Sequence, residues 1–568
     1  MKNNWYETAM RVAVIAGIFS ALVLAILAAN GWRSVPVTTL KAGKVADLKL
    51  ELRKHPKDEG LKTQLRRIDL QLRQGFFRRR ALAQDGALLL LGGLAIFLLA
   101  VKFAKQYRFR NPRPDGELAD PRPAAAGGRY AVAVTGVMLA GVLTGLVLLS
   151  RHDVSFEYLA SAAPPTKADY PTAEALAKNW PVFRGPGGCG VAKSTGVPAT
   201  WDGKKGTNIL WKTKVPLPGE NSPVVWGDAV FLSGANEHQR EVYCFDANTG
   251  KLRWKKPVTD LSCADKSPLQ VMEDTGYAAP TMVTDGKRAV AMFANGDLAC
   301  FDFTGKRLWA KNMGKPDNMY GLGSSLTFYK NRLILQFDQG TAAEDGKSAL
   351  LALDMTSGRQ VWKTKRPVPT SWSTPNVIDT GTRAEIITCA NPWVIAYNPE
   401  DGKELWRAEV LGGDVAPSPV FAGGMVFAVN SGANLAAIHP GGTGNVTKTH
   451  VAWLYADDLP EIVSPVSNGE LVYIVYTYGT LTCLDAKTGK KVWSQTVEDE
   501  FKSSPTVVGD RIFLMDTNGV MHFLSGGRAY KELGKAALGE PSNCSPAFMN
   551  GRIYIRGKYN LYCIGKKG

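Results

Sequence analysis

The stretch Asp485-Ala-Lys-Thr-Gly489-Lys-Lys-Val-Trp493 decides the fold, because the chain repeats it at a regular spacing. The other clear copies run from Asp246 to Trp254, Asp302 to Trp309, Asp354 to Trp362 and Asn398 to Trp406. A period of about 40–45 residues with four short β-rich runs per unit is typical of a propeller blade. Within each copy, Gly provides a turn with positive φ, Asp or Thr closes that turn, and Trp is expected to join neighbouring blades.

A second motif, a Ser-Pro step that opens an apolar run, occurs once in each unit. Ser222–Leu232 and Ser504–Leu514 are the clearest copies. Weaker copies begin at Ala279-Pro280, Ser325, Thr374-Pro375, Ser418-Pro419, Ser464-Pro465 and Ser545-Pro546. Runs split by Gly, Asn and Asp predict antiparallel strands with tight turns. Eight copies therefore predict eight blades.

The two ends of the repeat region predict how the ring closes. The last unit ends at Tyr562–Gly565 without a Trp strand, and an additional Trp strand, 208–214, precedes the first unit. Strand exchange would complete the last blade and remove the open sheet edges. The expected outer-strand aromatics are Trp211, Trp254, Trp309, Trp362, Trp406, Trp453, Trp493 and, in place of Trp, Tyr530. The predicted fold is an all-β eight-bladed propeller of four-stranded antiparallel blades over residues 179–568.

This repeat resembles the quinoprotein-type (PQQ-like) propeller repeat. The segment Asn179-Trp-Pro-Val-Phe-Arg184-Gly-Pro-Gly-Gly-Cys189-Gly is similar to the Trp-Pro-x-Phe-Arg-Gly-Pro start of bacterial PQQ-like propellers. The resemblance covers residues 178–568 and implies the fold. It leaves the activity open, since the family contains quinone-dependent dehydrogenases, extracytoplasmic sensors and non-catalytic scaffolds such as the outer-membrane-assembly lipoprotein.

Residues 1–160 differ in composition and predict an α-helical membrane domain. Three apolar stretches, 12–29, 86–103 and 130–150, predict transmembrane helices, although the first alternatively fits a signal peptide. Residues 44–80 place Leu at helical spacing among Lys and Arg, which predicts a basic amphipathic helix that is either bound at the membrane surface, dimerised or solvated. Residues 161–178 form the predicted linker.

The charge pattern and the family resemblance disagree about the side of the membrane. Residues 33–80 carry fourteen Lys and Arg against seven in 102–129, which taken alone places the propeller in the cytoplasm. The resemblance implies a propeller outside the cytoplasm. We expect a bacterial inner-membrane protein with a periplasmic propeller. The net charge of +17 is explained by a basic anchor, so no nucleic-acid partner is expected.

The cysteines and histidines predict neither a disulfide framework nor a metal site. Cys244, Cys300, Cys483 and Cys563 share one repeat position with Ala352, Ala396 and Ala437. That position favours a small buried side chain. The other four, Cys189, Cys263, Cys389 and Cys544, pair or stay free. No haem-attachment motif or zinc spacing is present, and the six His residues show no pattern.

The loops at the mouth of the central channel contain the candidate ligand-binding residues. They are Glu220, Asn221, Trp372, Asn391, Trp393, Asp414, Asn430, Lys502, Asn543 and Arg556. Carboxylates, amides and two Trp offer oxygen ligands for Ca²⁺ and a stacking platform for PQQ. The alternative is that these loops are polar because they face water. No catalytic residue is assigned, because no carboxylate lies in a general-base motif and no adjacent Cys pair occurs.

Three functions follow as hypotheses. In the first hypothesis, the chain is a membrane-anchored, non-catalytic scaffold or sensor at the cell envelope that binds a protein or peptide on its loop face. Alternatively, it is a membrane-bound PQQ-dependent dehydrogenase that passes electrons to quinone. A third hypothesis is a subunit of a larger membrane complex.

Overall fold

A computed structural model describes residues 9, 13, 91–93, 95–105 and 170–566, apart from residues 195, 260, 262–268, 270 and 274. The chain divides into two units, Met1–Ala163 and Pro164–Gly568. In the first unit, residues 91–93 and 95–105 are α-helical and fall mostly in one predicted span. The predicted spans 12–29 (except residue 13) and 130–150, and the predicted helix 44–80, lie outside the described residues. Within the described part of the chain, no helix combines the length and apolarity needed to cross a bilayer.

The second unit is an eight-bladed β-propeller built from antiparallel blades. Blade 1 consists of Val224–Trp226, Ala229–Ala235, Arg240–Asp246 and Leu252–Pro257, and blade 2 consists of Val283–Thr284, Arg288–Met292, Asp297–Asp302 and Arg307–Asn312. Blade 3 consists of Thr327–Tyr329, Arg332–Phe337, Ala349–Asp354 and Gln360–Lys365, and blade 4 consists of Asn376–Asp379, Ala384–Ala390, Trp393–Tyr397 and Glu404–Glu409. Blade 5 consists of Val420–Ala422, Met425–Val429, Leu435–Ile438 and Val451–Tyr455, and blade 6 consists of Val466–Ser467, Leu471–Val475, Thr480–Asp485 and Lys491–Thr496. Blade 7 consists of Thr506–Val508, Arg511–Met515, Val520–Ser525 and Glu532–Ala537, and blade 8 consists of Ala547–Met549, Arg552–Arg556, Asn560–Ile564 and Ile209–Lys214.

Blade 8 confirms the predicted closure. Its outer strand, Ile209–Lys214, comes from the start of the propeller and pairs antiparallel with Asn560–Ile564. Two blades depart from four strands, because Gly444–Asn445 adds a parallel strand to blade 4 and Val191–Ala192 adds one to blade 7. Short helices span Ala173–Lys178 and Thr447–His450, with 3₁₀ turns at Pro186–Gly188 and Ala343–Asp345. The helix at Ala173–Lys178 lies in the predicted linker and is capped by the Thr172 hydroxyl.

The repeated Trp and Gly join neighbouring blades, as the sequence predicts. The Trp309 indole of blade 2 donates to the Met355 carbonyl of blade 3 at 3.0 Å. A Cβ on the turn residue Gly358 would lie 2.6 Å from that indole, and Gly358 has a φ of +68°. Equivalent indole-to-carbonyl bonds to the following blade are donated by Trp211, Trp254, Trp362, Trp453 and Trp493. Trp406 differs, because its indole donates to the Glu385 carboxylate.

The prediction for Tyr530 was wrong. In the other blades the outer-strand Trp faces a Cys or Ala of the third strand, as in the pair Cys483 and Trp493. In blade 7 the facing residues are Phe523 and Gly534. Phe523 is a large residue at the position that holds Cys or Ala in the other blades, and Gly534 takes the place of the Trp. The Phe523 ring packs edge-on against Trp201, with ring centroids 5.2 Å apart. Tyr530 lies outside the strand and packs edge-on against Trp493 of the preceding blade.

The repeat-position cysteines are buried and free, as expected for small core side chains. Cys244, Cys300, Cys483 and Cys563 are all buried in the blades. Cys189, Cys389 and Cys544 are also free, and Cys263 lies outside the described residues. Burial raises the pKa of the Cys483 thiol to about 12. These thiols therefore remain protonated at neutral pH and act as core residues.

Candidate functional site

Eight hydroxyl side chains, one per blade, form a closed ring around the central channel. Each accepts a hydrogen bond from the backbone N–H of the equivalent residue in a neighbouring blade, with N···O distances of 2.9 to 3.1 Å. The ring consists of Ser222, Thr281, Ser325, Thr374, Ser418, Ser464, Ser504 and Ser545. The Ser-Pro motif of blade 2 was predicted to begin at Ala279. This position was wrong, because the residue that supplies the ring hydroxyl is Thr281, two positions later.

The segment before the first blade closes the channel from one side. Trp180 pairs with Val225 of blade 1, and the Gly190 carbonyl accepts from Val507 of blade 7. Between them, the Arg184 guanidinium donates to the Pro465 carbonyl at 2.7 Å. Burial lowers the pKa of this guanidinium to about 10. The segment 180–190 therefore contacts blades on both sides of the channel and acts as a plug.

The plug leaves a funnel of about 200 Å³ that Phe183 and the hydroxyl ring line. Above the ring, each blade contributes the residue two positions before its hydroxyl. These mouth residues are Glu220, Ala279, Gly323, Trp372, Ala416, Ile462, Lys502 and Asn543. None of them is fully buried, so the mouth is accessible to a ligand.

The mouth has two chemically different halves. Lys502, Asn543 and Glu220 belong to the consecutive blades 7, 8 and 1 and form a polar arc. Trp372, Ala416 and Ile462 belong to the consecutive blades 4, 5 and 6 and form an apolar arc. The ring hydroxyls below carry O–H groups that are able to donate to a ligand, because their bonds to the backbone use them as acceptors. An amphipathic group fits this funnel.

Four of the ten predicted site residues line the funnel, namely Glu220, Trp372, Lys502 and Asn543. Two others hold the surrounding loops in place. Arg556 is fully buried and donates to Asn221 Oδ1 at 2.8 Å and to the Ser233 carbonyl at 2.6 Å. The amide of Asn221 donates to the Ser233 and Ala278 carbonyls.

The last four predicted residues do not line the funnel. Asn391 and Trp393 flank the cis Pro392, and Trp393 lies 5.1 Å from the Arg407 guanidinium, which stacks on its ring. Asn430 is buried and donates to the backbone carbonyl of the exposed Asp414 at 3.1 Å. Residues at the ends of second strands, such as Asn430 and Arg556, thus anchor loops. Their polar side chains satisfy backbone carbonyls that would otherwise be buried without partners.

A buried ion pair positions the loop that carries Trp372. Arg366 begins this loop, and its guanidinium donates two hydrogen bonds to the Asp338 carboxylate. They run from Nε to Oδ1 at 2.8 Å and from Nη2 to Oδ2 at 3.1 Å. The backbone carbonyl of Asp338 accepts from the Thr370 hydroxyl at 3.3 Å. Trp372 packs edge-on against Tyr320 at 5.0 Å. The indole therefore has a fixed place at the mouth.

Sequence reasoning missed two features of the funnel, the ring hydroxyls and Phe183. The Ser-Pro step was recognised as a strand signal, and its hydroxyl was the available clue to the ring. Phe183 lies in the segment 179–190, whose sequence resembles the start of PQQ-like propellers. Its position in the channel depends on how that segment crosses the blades.

The family to which the chain belongs follows from its sequence profile. The profile described as outer membrane protein assembly factor BamB matches residues 202–370, 346–461 and 450–564. The chain belongs to this BamB family.

Two curated relatives have enzymatic names and resemble this BamB-family chain in part. Tetrathionate hydrolase of Acidithiobacillus ferrooxidans is 24% identical over 246 residues, which are 43% of this chain and 46% of the hydrolase. Polyvinylalcohol dehydrogenase of a Pseudomonas species is 28% identical over 181 residues, which are 28% of this chain and 26% of the dehydrogenase. The chain thus matches at most about half the length of these relatives.

Solved quinoproteins share the fold of this BamB-family chain. A europium-containing methanol dehydrogenase superposes with a TM-score of 0.53 at 11% identity, over 69% of this chain and 99% of the enzyme. Quinohemoprotein alcohol dehydrogenase from Comamonas testosteroni also has a TM-score of 0.53, at 13% identity, over 70% of this chain and 82% of the enzyme. At these identities the similarity extends to the fold alone.

The funnel does not fit PQQ with a calcium ion. A cavity of about 200 Å³ is smaller than the roughly 300–1,000 Å³ of typical cofactor pockets. Calcium takes about six to eight oxygen ligands, and Glu220 is the single carboxylate among the described lining residues. Lys502 is the single cation there, whereas PQQ carries several carboxylates. The described lining residues therefore offer too little space and too few ligands for this cofactor.

Proposed function

We propose that this BamB-family chain is a membrane-anchored, non-catalytic propeller that binds a segment of a partner protein on its loop face. One side chain of the partner enters the funnel, and the flanking backbone lies across the mouth. The family description as an outer membrane protein assembly factor supports a role in binding other envelope proteins.

The dimensions of the funnel carry this proposal. Phe183 and the plug limit its depth, and its volume of about 200 Å³ suits one side chain. Trp372 and Ile462 offer apolar contact on one side, and Ile462 is 42% exposed. Aromatic side chains at a mouth are common anchors of protein interfaces.

The charges of the polar arc determine which segment binds. Lys502 would pair with a carboxylate next to the inserted side chain, while Glu220 would pair with a basic group on the far side of Asn543. We therefore expect a ligand that combines one aromatic or branched apolar residue with a neighbouring acidic residue.

Peptide display against the detergent-solubilised full chain tests this proposal. Enriched peptides should contain the apolar–acidic pair and should bind at least 10-fold more weakly to Trp372→Ala and Lys502→Glu variants. Lys491→Glu is the matched control, because Lys491 is an exposed outer-strand lysine of blade 6 and the charge change is the same. Peptides that bind wild type and the Lys502→Glu variant equally would contradict the proposal.

The membrane anchor and the location are further parts of the proposal. The apolar stretches 12–29, 86–103 and 130–150 support insertion in a membrane. The family supports a bacterial inner membrane with a periplasmic propeller, although the charge pattern of residues 33–80 taken alone favours the cytoplasmic side. Carbonate extraction of membranes and protease treatment of spheroplasts test both parts. Release by carbonate would contradict the anchor, and protection of the propeller from external protease would contradict the periplasmic location.

A PQQ-dependent dehydrogenase and a subunit of a larger membrane complex are the alternatives. The poor fit of the funnel argues against the first. The second predicts that the chain co-purifies in a defined stoichiometry with other membrane proteins, and size-exclusion chromatography of mild detergent extracts tests it.

A further inference from the structure

Blade 7 brings two carboxylates and one imidazole together outside the funnel. Asp516 follows the second strand, His522 lies in the third strand, and Asp499 lies in the loop that arrives from blade 6. Their donor atoms all lie within 4.8 Å of one another. His522 and Asp516 are only 1% and 2% exposed. The sequence alone predicted no metal site, and these residues are brought together by the blade.

The distances in this cluster fit the spacing of two ligands on one metal ion, and the shorter of them is also a long hydrogen bond. His522 Nε2 lies 3.3 Å from Asp516 Oδ2 and 3.5 Å from Asp499 Oδ2. Charge-assisted hydrogen bonds have N···O distances of about 2.7–2.9 Å. Two ligands of a tetrahedral zinc ion, with bonds of about 2.0–2.2 Å, lie about 3.3–3.5 Å apart. One nitrogen thus faces two carboxylate oxygens at the separation that a shared metal ion sets.

The surroundings orient the ligand atoms. Asp516 Oδ1 accepts from the Val520 amide at 2.8 Å, which leaves Oδ2 directed at the imidazole. On the other side of the ring, His522 Nδ1 lies 4.0 Å from a Glu532 carboxylate oxygen. Phe501 packs edge-on against the imidazole at 5.4 Å. Metal-binding histidines commonly donate their other ring N–H to a carboxylate, and Glu532 lies on that side of the ring but beyond hydrogen-bond distance.

A lysine ammonium now compensates the charge of the cluster. Lys535 Nζ lies 3.5 Å from Asp499 Oδ2 and is 42% exposed, so this side chain is able to swing into solvent. Asp499 is 23% exposed and gives the cluster an opening to water. A divalent cation would replace the ammonium, and water would complete its coordination.

We propose that Asp499, Asp516 and His522 bind a divalent transition-metal ion of the zinc class. A buried imidazole with two carboxylates selects zinc, nickel or cobalt over magnesium and calcium. The metal fixes the loop at Asp499, three residues before Lys502 at the funnel mouth. This inference is independent of what the funnel binds.

Isothermal titration of the chelator-treated full chain with Zn²⁺ tests the proposal. We expect one ion per chain, a higher thermal midpoint with Zn²⁺ and no comparable effect of Mg²⁺. His522→Gln and Asp499→Asn should weaken binding at least 10-fold, whereas Lys535→Met should tighten it because the competing cation is gone. His439→Gln is the control, because His439 is exposed on blade 5.

The chain also contains free cysteines, whose thiolates are alternative ligands for zinc. The test must therefore identify the atoms that bind the metal ion. Co²⁺ bound at this cluster should give a visible spectrum without a thiolate charge-transfer band. A thiolate band, equal zinc binding by wild type and the Asp499→Asn variant, or no stoichiometric binding would each overturn the proposal. Asp499 is a partly exposed loop residue, so its variant keeps the test valid even if the His522 variant does not fold.

Discussion

Replacing Arg366 by Met should destabilise the propeller strongly, because it leaves a buried carboxylate without its counter-ion. The side chains of Arg366 and Asp338 are both 0% exposed. Removing one partner of such a pair costs about 3–5 kcal/mol. The variant also loses the guanidinium bonds to the Thr388 hydroxyl at 2.6 Å and the Tyr397 hydroxyl at 3.2 Å. The expected loss in free energy of unfolding is therefore about 3–5 kcal/mol.

The double variant Arg366→Met with Asp338→Leu separates the missing counter-ion from lost packing. It should recover at least about 1 kcal/mol relative to the Arg366→Met variant, because no charge is then left unpaired. Urea unfolding followed by Trp fluorescence measures both, since twelve of the fourteen Trp lie between residues 180 and 493.

The pH dependence gives a second readout for the Arg366→Met variant. Burial raises the pKa of Asp338, and without Arg366 only the hydrogen bond from the Gln336 amide still opposes that shift. A carboxyl whose folded pKa lies above its unfolded value of about 3.9 stabilises the fold fully below that pH and less as the pH rises. The deficit against wild type should therefore be smaller at pH 4 than at pH 7. A deficit below about 1 kcal/mol that does not change with pH would refute the reasoning.

Three further predictions concern the repeat, and the same unfolding assay measures them. Gly358→Ala should cost about 1–3 kcal/mol more than Gly381→Ala, because both have positive φ but only the first Cβ would clash with an indole. Ser418→Ala should cost about 1–3 kcal/mol, since it leaves a buried amide of the hydroxyl ring without an acceptor. The hydrogen bond from Arg528 lowers the pKa of Asp485 to about 2. The stability difference between wild type and Arg528→Ala should therefore be constant above about pH 5 and disappear as the pH falls towards 2.

Most of the fold was predictable because the repeat specifies it. The Asp–Gly–Trp spacing predicted the blades, and the additional Trp strand predicted the closure between Ile209–Lys214 and Asn560–Ile564. The prediction failed at Tyr530, where no residue pattern reveals that Phe523 takes the space of a Trp. A single large core residue can replace a distant aromatic, and only the strand register shows which one does so.

The candidate site was predictable only in part, since loop residues near the channel have two different roles. Glu220, Trp372, Lys502 and Asn543 each lie two positions before a ring hydroxyl, outside the strands, and line the funnel. Residues such as Arg556 are equally polar in sequence but are buried as loop anchors. Periodicity does not separate these roles, because burial depends on neighbouring blades. The cluster around His522 was missed for the same reason.

Equilibrium dialysis of the full chain against PQQ in the presence of Ca²⁺ tests the non-catalytic reading of the funnel most directly. The funnel has a volume of about 200 Å³ and Glu220 as its one described carboxylate. We predict that PQQ is not retained above the level of a Lys502→Glu variant. Retention of one PQQ per chain that depends on Ca²⁺ and is lost in Glu220→Gln and Lys502→Glu variants would contradict the account.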